Sequence, residues 1–195
     1  MAAINPQVIV GNWESGVALD VHTISSTHNG FDQFGNDVFV TVRSELGELL
    51  YRLKYRVDQT AVAEIVAAAA QFLKPHRAKF DLIVPVPPST PRVVQPVIVL
   101  ANGIGAALAA PVVQCITTTR PTTQLKEVTD PQERQKLLEG LHAVDPVHTQ
   151  GKNILLFDDL FRSGATMRAI TDVLLQQGKT ASVRVLTITK TRSNQ

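Results

Sequence analysis

Two adjacent carboxylates, Asp158 and Asp159, close an apolar run. Arg162, Ser163, Gly164, Ala165 and Thr166 follow, so that Asn153 to Thr166 reads N-I-L-L-F-D-D-L-F-R-S-G-A-T. Ile154 to Phe157 are apolar without interruption, as in a strand covered on both faces of a parallel sheet. Beyond the hydroxyl residues, Met167, Ile170, Val173 and Leu174 fall on one helical stripe. The order is strand, acidic pair, small and hydroxyl residues, helix start. A helix N-terminus carries unpaired N–H groups and partial positive charge, so it can hold a phosphate, and Gly164 lets the backbone come close. Ser163 and Thr166 add hydroxyl donors. Two carboxylates do not both bind the anion itself, because like charges repel. They suit hydroxyls beside it, so the stretch describes a site for a sugar phosphate. Neighbouring side chains of a strand point to opposite faces, so both acids reach one ligand only if the strand ends there.

The same string resembles the first strand of a receiver domain, where an acidic pair binds magnesium. That domain needs four further strand-helix units, and only 36 residues follow Asp159. An ordinary strand with two solvated aspartates leaves the Ser-Gly-Ala-Thr run unexplained.

The chain has 195 residues, enough for one domain with a sizeable core, and its 44% hydrophobic and 5% aromatic content suits an α/β protein. A net charge of +2 gives no argument for nucleic acid. Cys115 is the single cysteine and lies in an apolar run, so a buried thiol in a reducing compartment is expected and a disulfide is not. The start M-A-A-I-N-P has no basic region before an apolar core, and the apolar stretches near Ala61–Ala70 and Val97–Val113 are short or interrupted. A soluble cytoplasmic protein without membrane association is expected.

These elements position the acids. Val8–Val10, the alternation of Val17, Leu19 and Val21, and that of Val38, Val40 and Val42 predict β structure joined by a turn-rich loop or irregular hairpin. Trp13, Asp20, His22 and His28 are candidates to line a pocket there. Leu46, Leu49, Leu50 and Leu53 follow helical spacing after a capping Ser44, and Thr60 to Leu73 reads as a second, Ala-rich helix. From Phe80 the pattern alternates strand and helix: strand Phe80–Val84, helix 94–109, strand Pro111–Ile116, a polar segment from Thr117 to Gln150 with a short helix begun by Asp130 and Pro131, strand Ile154–Phe157, helix 165–177 and strand Ser182–Thr189. In a parallel sheet, ligands sit at the strand C-terminal ends, where both Pro87–Arg92 and Asp158–Thr166 fall.

Phe157 to Thr166 resembles the phosphoribosyl pyrophosphate (PRPP) motif of type I phosphoribosyltransferases, with Arg162 where a hydroxyl residue is usual. L-K-Y-R at 53–56, I-V-P-V-P-P at 83–88 with Arg92 and Gln95, and R-P-T-T-Q-L at 120–125 with Gln132, Glu133, Arg134 and Leu138 are similar to the ComF family of competence-associated proteins, over residues 44–192. The resemblance implies a parallel-sheet, Rossmann-like core (79–195), a helical connection (44–78) and a small β-rich N-terminal hood (1–43), with Trp13 and Phe39 available for stacking. It implies transfer of a phosphoribosyl group to or from a nitrogenous base or amine, with release of pyrophosphate and with Mg²⁺ carried by the ligand. Asp158 and Asp159 take the ribose hydroxyls, with Asp159 the preferred acid or base. Arg162 to Thr166 take the 5′-phosphate. Ser89, Thr90 and Arg92 take pyrophosphate. Thr123, Gln124, Lys126 and Arg134 belong to a loop that closes over the reaction. A homodimer is common among relatives.

Two departures matter. ComF relatives often start with a cysteine-rich zinc ribbon, and this chain has a cysteine-free segment there, so zinc is not expected. Pro87, Pro88 and Pro91 stand where relatives carry a basic, Gly-containing stretch, which removes backbone donors from the pyrophosphate side. The second departure keeps open a non-catalytic PRPP- or nucleotide-binding protein linked to DNA uptake or regulation. Arg52, Lys54, Tyr55 and Arg56 give local support to single-strand nucleic-acid binding.

Overall fold

The computed structural model describes residues 2–88, 93–120, 137–138 and 140–192. Its strands are β1 (Gln7–Val8), β2 (Ser15–Val21), β3 (Thr23–Phe31), β4 (Asp37–Arg43), β5 (Leu82–Pro85), β6 (Ile116–Thr118), β7 (His142–Val144), β8 (Asn153–Phe161) and β9 (Ser182–Lys190). Its helices are α1 (Glu45–Tyr55), α2 (Thr60–Leu73), α3 (Pro96–Leu108) and α4 (Ala165–Gln176). The central sheet runs β1-β2-β9-β8-β5, and β2, β9, β8 and β5 are parallel. The mostly parallel α/β core is the one the alternation of strands and helices predicts.

Helices α1, α2 and α3 cover one face, packing on Leu19, Ile83, Leu155, Phe157, Leu186 and Ile188. Helix α4 covers the other, on Ala18, Leu82, Val84, Ile154, Leu156, Val183 and Val185. The split follows from the period of two along a buried strand, so that consecutive residues of I-L-L-F in β8 serve opposite layers.

The route of the chain explains where a crevice must open. After β5 and α3, Val112 forms a lone parallel bridge to Ile83 on the outer side of β5. The chain then returns through the antiparallel pair β6–β7 to β8 on the inner side of β5. From β8 it moves away again, through α4 to β9. Right-handed crossovers leaving in opposite directions put α3 and α4 on opposite faces and leave a gap between β5 and β8 at the strand C-terminal ends.

Three expectations change. The strand over Pro111–Ile116 is reduced to the Val112 bridge, and Ile116 instead begins β6, paired antiparallel with β7. β8 does not stop at Phe157: it continues to Phe161 because the equally long β9 pairs with it as far as Lys190. The strands of residues 2–43 split between two sheets. β1 and β2 belong to the central sheet, where the free edge of β9 takes β2 in parallel, and β3 and β4 form a hairpin of their own. Of the short helix expected after Asp130, Leu137 and Leu138 are helical and the rest lies outside the described residues.

Candidate functional site

The crevice at the β5/β8 reversal is a cavity of about 550 Å³, a size usual for small-molecule sites. Its floor is Asp158 to Phe161 of β8, one wall is Arg162 to Met167, and His22, Lys54, Tyr55, Val86–Pro88 and Gln95–Val97 complete it. The acids, the five loop residues and the proline strand-end, far apart in the sequence, meet in one concavity. Ser89, Thr90, Arg92, Thr123, Gln124, Lys126 and Arg134 lie outside the described residues.

Both acids reach the cavity although the strand continues past them. β5 ends at Pro85, opposite Phe157, and its last link to β8 is the Val86 N–H donating to the Phe157 carbonyl at 2.9 Å. From Asp158 onward β8 has β9 on one side and the crevice on the other. Alternation sends Asp159 to the α1 side, where Lys54 Nζ meets its Oδ1 at 2.7 Å, both side chains being 13% exposed.

Asp158 Oδ1 accepts the Asp159 backbone N–H at 2.8 Å. Burial, followed by the neighbouring Asp159 charge, pushes the Asp158 carboxyl up to about 8, against the lowering effects of that N–H and of Lys54. Burial and the neighbouring charge thus favour the neutral form of Asp158, while Asp159 is held by an ammonium. His22, whose Nδ1 lies 3.2 Å from Thr189 Oγ1, is depressed below the usual histidine range by burial and then by Lys54 and Arg43, and it stays neutral.

The loop wall is built around Gly164, the N-cap of α4, at φ 75°. A Cβ there would lie 2.6 Å from the Phe161 ring, so both the backbone angle and the space require glycine. With no N-cap side chain, the first turn of α4 faces the cavity, and Ser163 Oγ reaches the Ala165 N–H at 3.4 Å. The Arg168 guanidinium donates to the Ser163 carbonyl at 2.7 Å and fixes the loop from outside.

The N-terminal segment supports this wall from behind. Trp13, expected as a stacking surface for an acceptor, is buried. Its Nε1–H donates to the Ile9 carbonyl at 3.0 Å and its ring stands edge-on to Phe161 at 6.2 Å. Asn12 Nδ2 donates to the Arg168 carbonyl at 3.0 Å and to Asp172 Oδ1 at 2.8 Å, tying the same segment to α4. Phe39 is 55% exposed on the hairpin, against His28, and does not line the cavity. Of the other early candidates, Asp20 is buried with Oδ1 on the Val21 N–H, and His28 meets Asp37 at 2.9 Å on the exposed hairpin. His22 alone of that group borders the crevice with the acids.

Helix α1 supplies the residues that sequence reasoning placed elsewhere. Ser44 caps it, accepting from Gly47 N at 3.0 Å and donating to the Val21 carbonyl at 2.5 Å. Gly47 lets the helix press onto β2, because a Cβ there would be 2.1 Å from the His22 carbonyl oxygen. So docked, α1 aims its last turn at the crevice. Lys54 sits four residues after the buried Leu50, at the edge of the apolar stripe, which is the signal that could have placed it there. The basic cluster read as a nucleic-acid surface is not one open face. Arg52 binds Asp58 through Nε at 2.8 Å and Nη2 at 2.5 Å, Lys54 turns inward, and the Arg56 guanidinium lies 5.6 Å from the Tyr51 ring centre.

The Mg²⁺ that the family resemblance implies does not fit these side chains as a resident ion. Among the described residues no three His, Cys, Asp or Glu side chains converge, and of the two carboxylates Asp159 is already paired with Lys54. Among those same residues no helix is long and apolar enough to cross a membrane.

Over 158 residues the chain is 30% identical to competence protein ComFC of Bacillus subtilis (strain 168), a match covering 76% of this chain and 61% of that protein. It thus spans about three fifths of the length of this curated relative. The match bears out the resemblance to the ComF family read from the sequence. Adenine phosphoribosyltransferase from Trypanosoma brucei, solved with AMP, pyrophosphate and ribose-5-phosphate, superposes with a TM-score of 0.47 at 12% identity, over 96% of this chain and 86% of that one. Glutamine PRPP amidotransferase from B. subtilis gives 0.45 at 16% identity, over 76% and 28%. At these scores neither adds to the fold traced from strand order. No protein-family model matches the chain.

Proposed function

We propose, with the ComF likeness of this chain as premise, that its crevice binds the phosphoribosyl group of PRPP or of a nucleotide and transfers it to or from a nitrogenous base or amine. The convergence of Asp158, Asp159 and the Arg162–Thr166 loop on one cavity carries the reading. The 5′-phosphate lies against the first turn of α4, where backbone N–H groups and the helix dipole favour an anion. The ribose hydroxyls lie on the acids, a protonated Asp158 donating to one oxygen and Asp159 accepting from another.

In the transfer, the bond from the anomeric carbon to pyrophosphate oxygen breaks as the bond to the acceptor nitrogen forms, and the proton on that nitrogen passes to solvent. Burial raises the Asp158 carboxyl, which makes it the acid of the pair, while Asp159 is held by Lys54. Val86, Pro87, Pro88 and the start of α3 face the leaving group. A Mg²⁺ ion carried by the pyrophosphate would supply charge neutralisation there.

Pro87 and Pro88 on that wall favour a second reading, a PRPP- or nucleotide-binding protein without turnover. Calorimetry with PRPP, followed by a pyrophosphate-release assay across purine, pyrimidine and amine acceptors, separates the two. Binding with release supports transfer, binding without release supports the second reading, and absence of binding removes both.

A further inference from the structure

The Lys54–Asp159 pair has a role that the phosphate loop does not share. Lys54 Nζ lies 2.7 Å from Asp159 Oδ1 with both side chains 13% exposed, so the pair is largely shielded from water and salt. It sits at the floor of the cavity beside Asp158, whose Oδ1 is engaged by the Asp159 N–H. Neighbouring carboxylates in a crevice are natural ligands for a hard divalent cation. Here an ammonium already holds one of them, and no third acidic, histidine or cysteine ligand joins them among the described residues.

We propose that Lys54 is a specificity-determining residue which keeps the acid pair from holding a free divalent cation and reserves the crevice for a ligand that brings hydroxyls and negative charge together. The identity of that ligand rests on the sugar-phosphate reading above; the exclusion of the ion does not. A compact ammonium on Asp159 repels an approaching dication and attracts a phosphate. Replacing it with a neutral side chain of similar length leaves the carboxylate without a counter-charge, so the preference inverts.

The test titrates Mn²⁺ into the full chain without sugar phosphate, counting free ion by electron paramagnetic resonance, and in parallel titrates ribose 5-phosphate without metal by calorimetry. The parent and K54R, which keeps the cation, are expected to bind Mn²⁺ weakly and alike. K54M and K54Q, each checked by circular dichroism, should bind it more than about tenfold tighter, the scale of one unscreened charge at contact distance. K54M/D159N should lose that gain. K54M should also bind ribose 5-phosphate more weakly than the parent. Neutral variants that hold Mn²⁺ no tighter than the parent, or a parent that already binds it as they do, would overturn the proposal. A parent that ignores ribose 5-phosphate while the Mn²⁺ gain stands would remove the sugar-phosphate reading and leave the role of Lys54 intact.

Discussion

Residues 7–22 and residues 23–43 share an alternating apolar pattern and have opposite fates. Both carry alternating apolar residues, and each supplies a seven-residue strand, β2 and β4. β2 meets the free edge of β9 and is buried, Ala18 and Leu19 being fully covered, whereas β4 pairs only with β3 and leaves Phe39, Val40 and Val42 about half exposed. Alternation makes a strand; a partner edge buries it. The first half shapes the crevice, through Trp13 behind Phe161 and His22 at the rim, and the second stands apart from the acids.

The sharpest way to break this contrast is Trp13→Ala. As a support for Phe161 and the Gly164 loop, Trp13 should cost about 3–5 kcal/mol of unfolding free energy when truncated, read by urea titration, as for other buried aromatics. An acceptor-stacking Trp13 would instead leave stability alone and weaken binding.

Gly164→Val tests the loop that Trp13 supports. The left-handed angle and the Phe161 contact should together cost about 2–4 kcal/mol in the same titration, and phosphate binding should go with them. A stable Gly164→Val that still binds phosphate would show that the loop is not built as described.

Asp158→Asn separates the titration of the crevice from that of the rest of the fold. Because the folded pKa of Asp158 lies above its unfolded value, the native state binds the extra proton between about pH 4 and pH 8, and stability from this group falls as pH rises through that window. His22 and His142, both depressed by burial, act in the opposite direction, losing stability as pH falls below the ordinary histidine range. The difference in melting temperature between Asp158→Asn and the parent should therefore move in favour of the variant as pH rises from 5 to 8. A flat difference would mean that Asp158 is solvated.

Phe39→Ala has the smallest expected effect. An exposed hairpin residue should change stability by less than about 0.5 kcal/mol and leave sugar-phosphate binding unchanged; a large loss of binding would restore the hood reading for this half.

The sequence was most legible where local chemistry decides. Four helices, the strands β5, β8 and β9, and the acidic pair followed by its glycine turn are all written in contiguous patterns, and the capping Ser44 lies one residue before α1. It was least legible where distant parts must meet. Lys54 and Asp159 are 105 residues apart, and a lysine at the edge of an apolar stripe reads equally as solvent-facing. Trp13 looked available because its partner Phe161 belongs to the far end of the chain. The route from α3 back to β8 was misread because one bridge at Val112 leaves almost no strand pattern to find.

The most direct measurement is calorimetry of ribose 5-phosphate with the parent and with Asp158→Asn/Asp159→Asn. The site described here requires saturable one-to-one binding by the parent and at least about a tenfold loss in the double variant, the scale of one lost charge-assisted hydrogen bond. Equal affinity in the two proteins would contradict it.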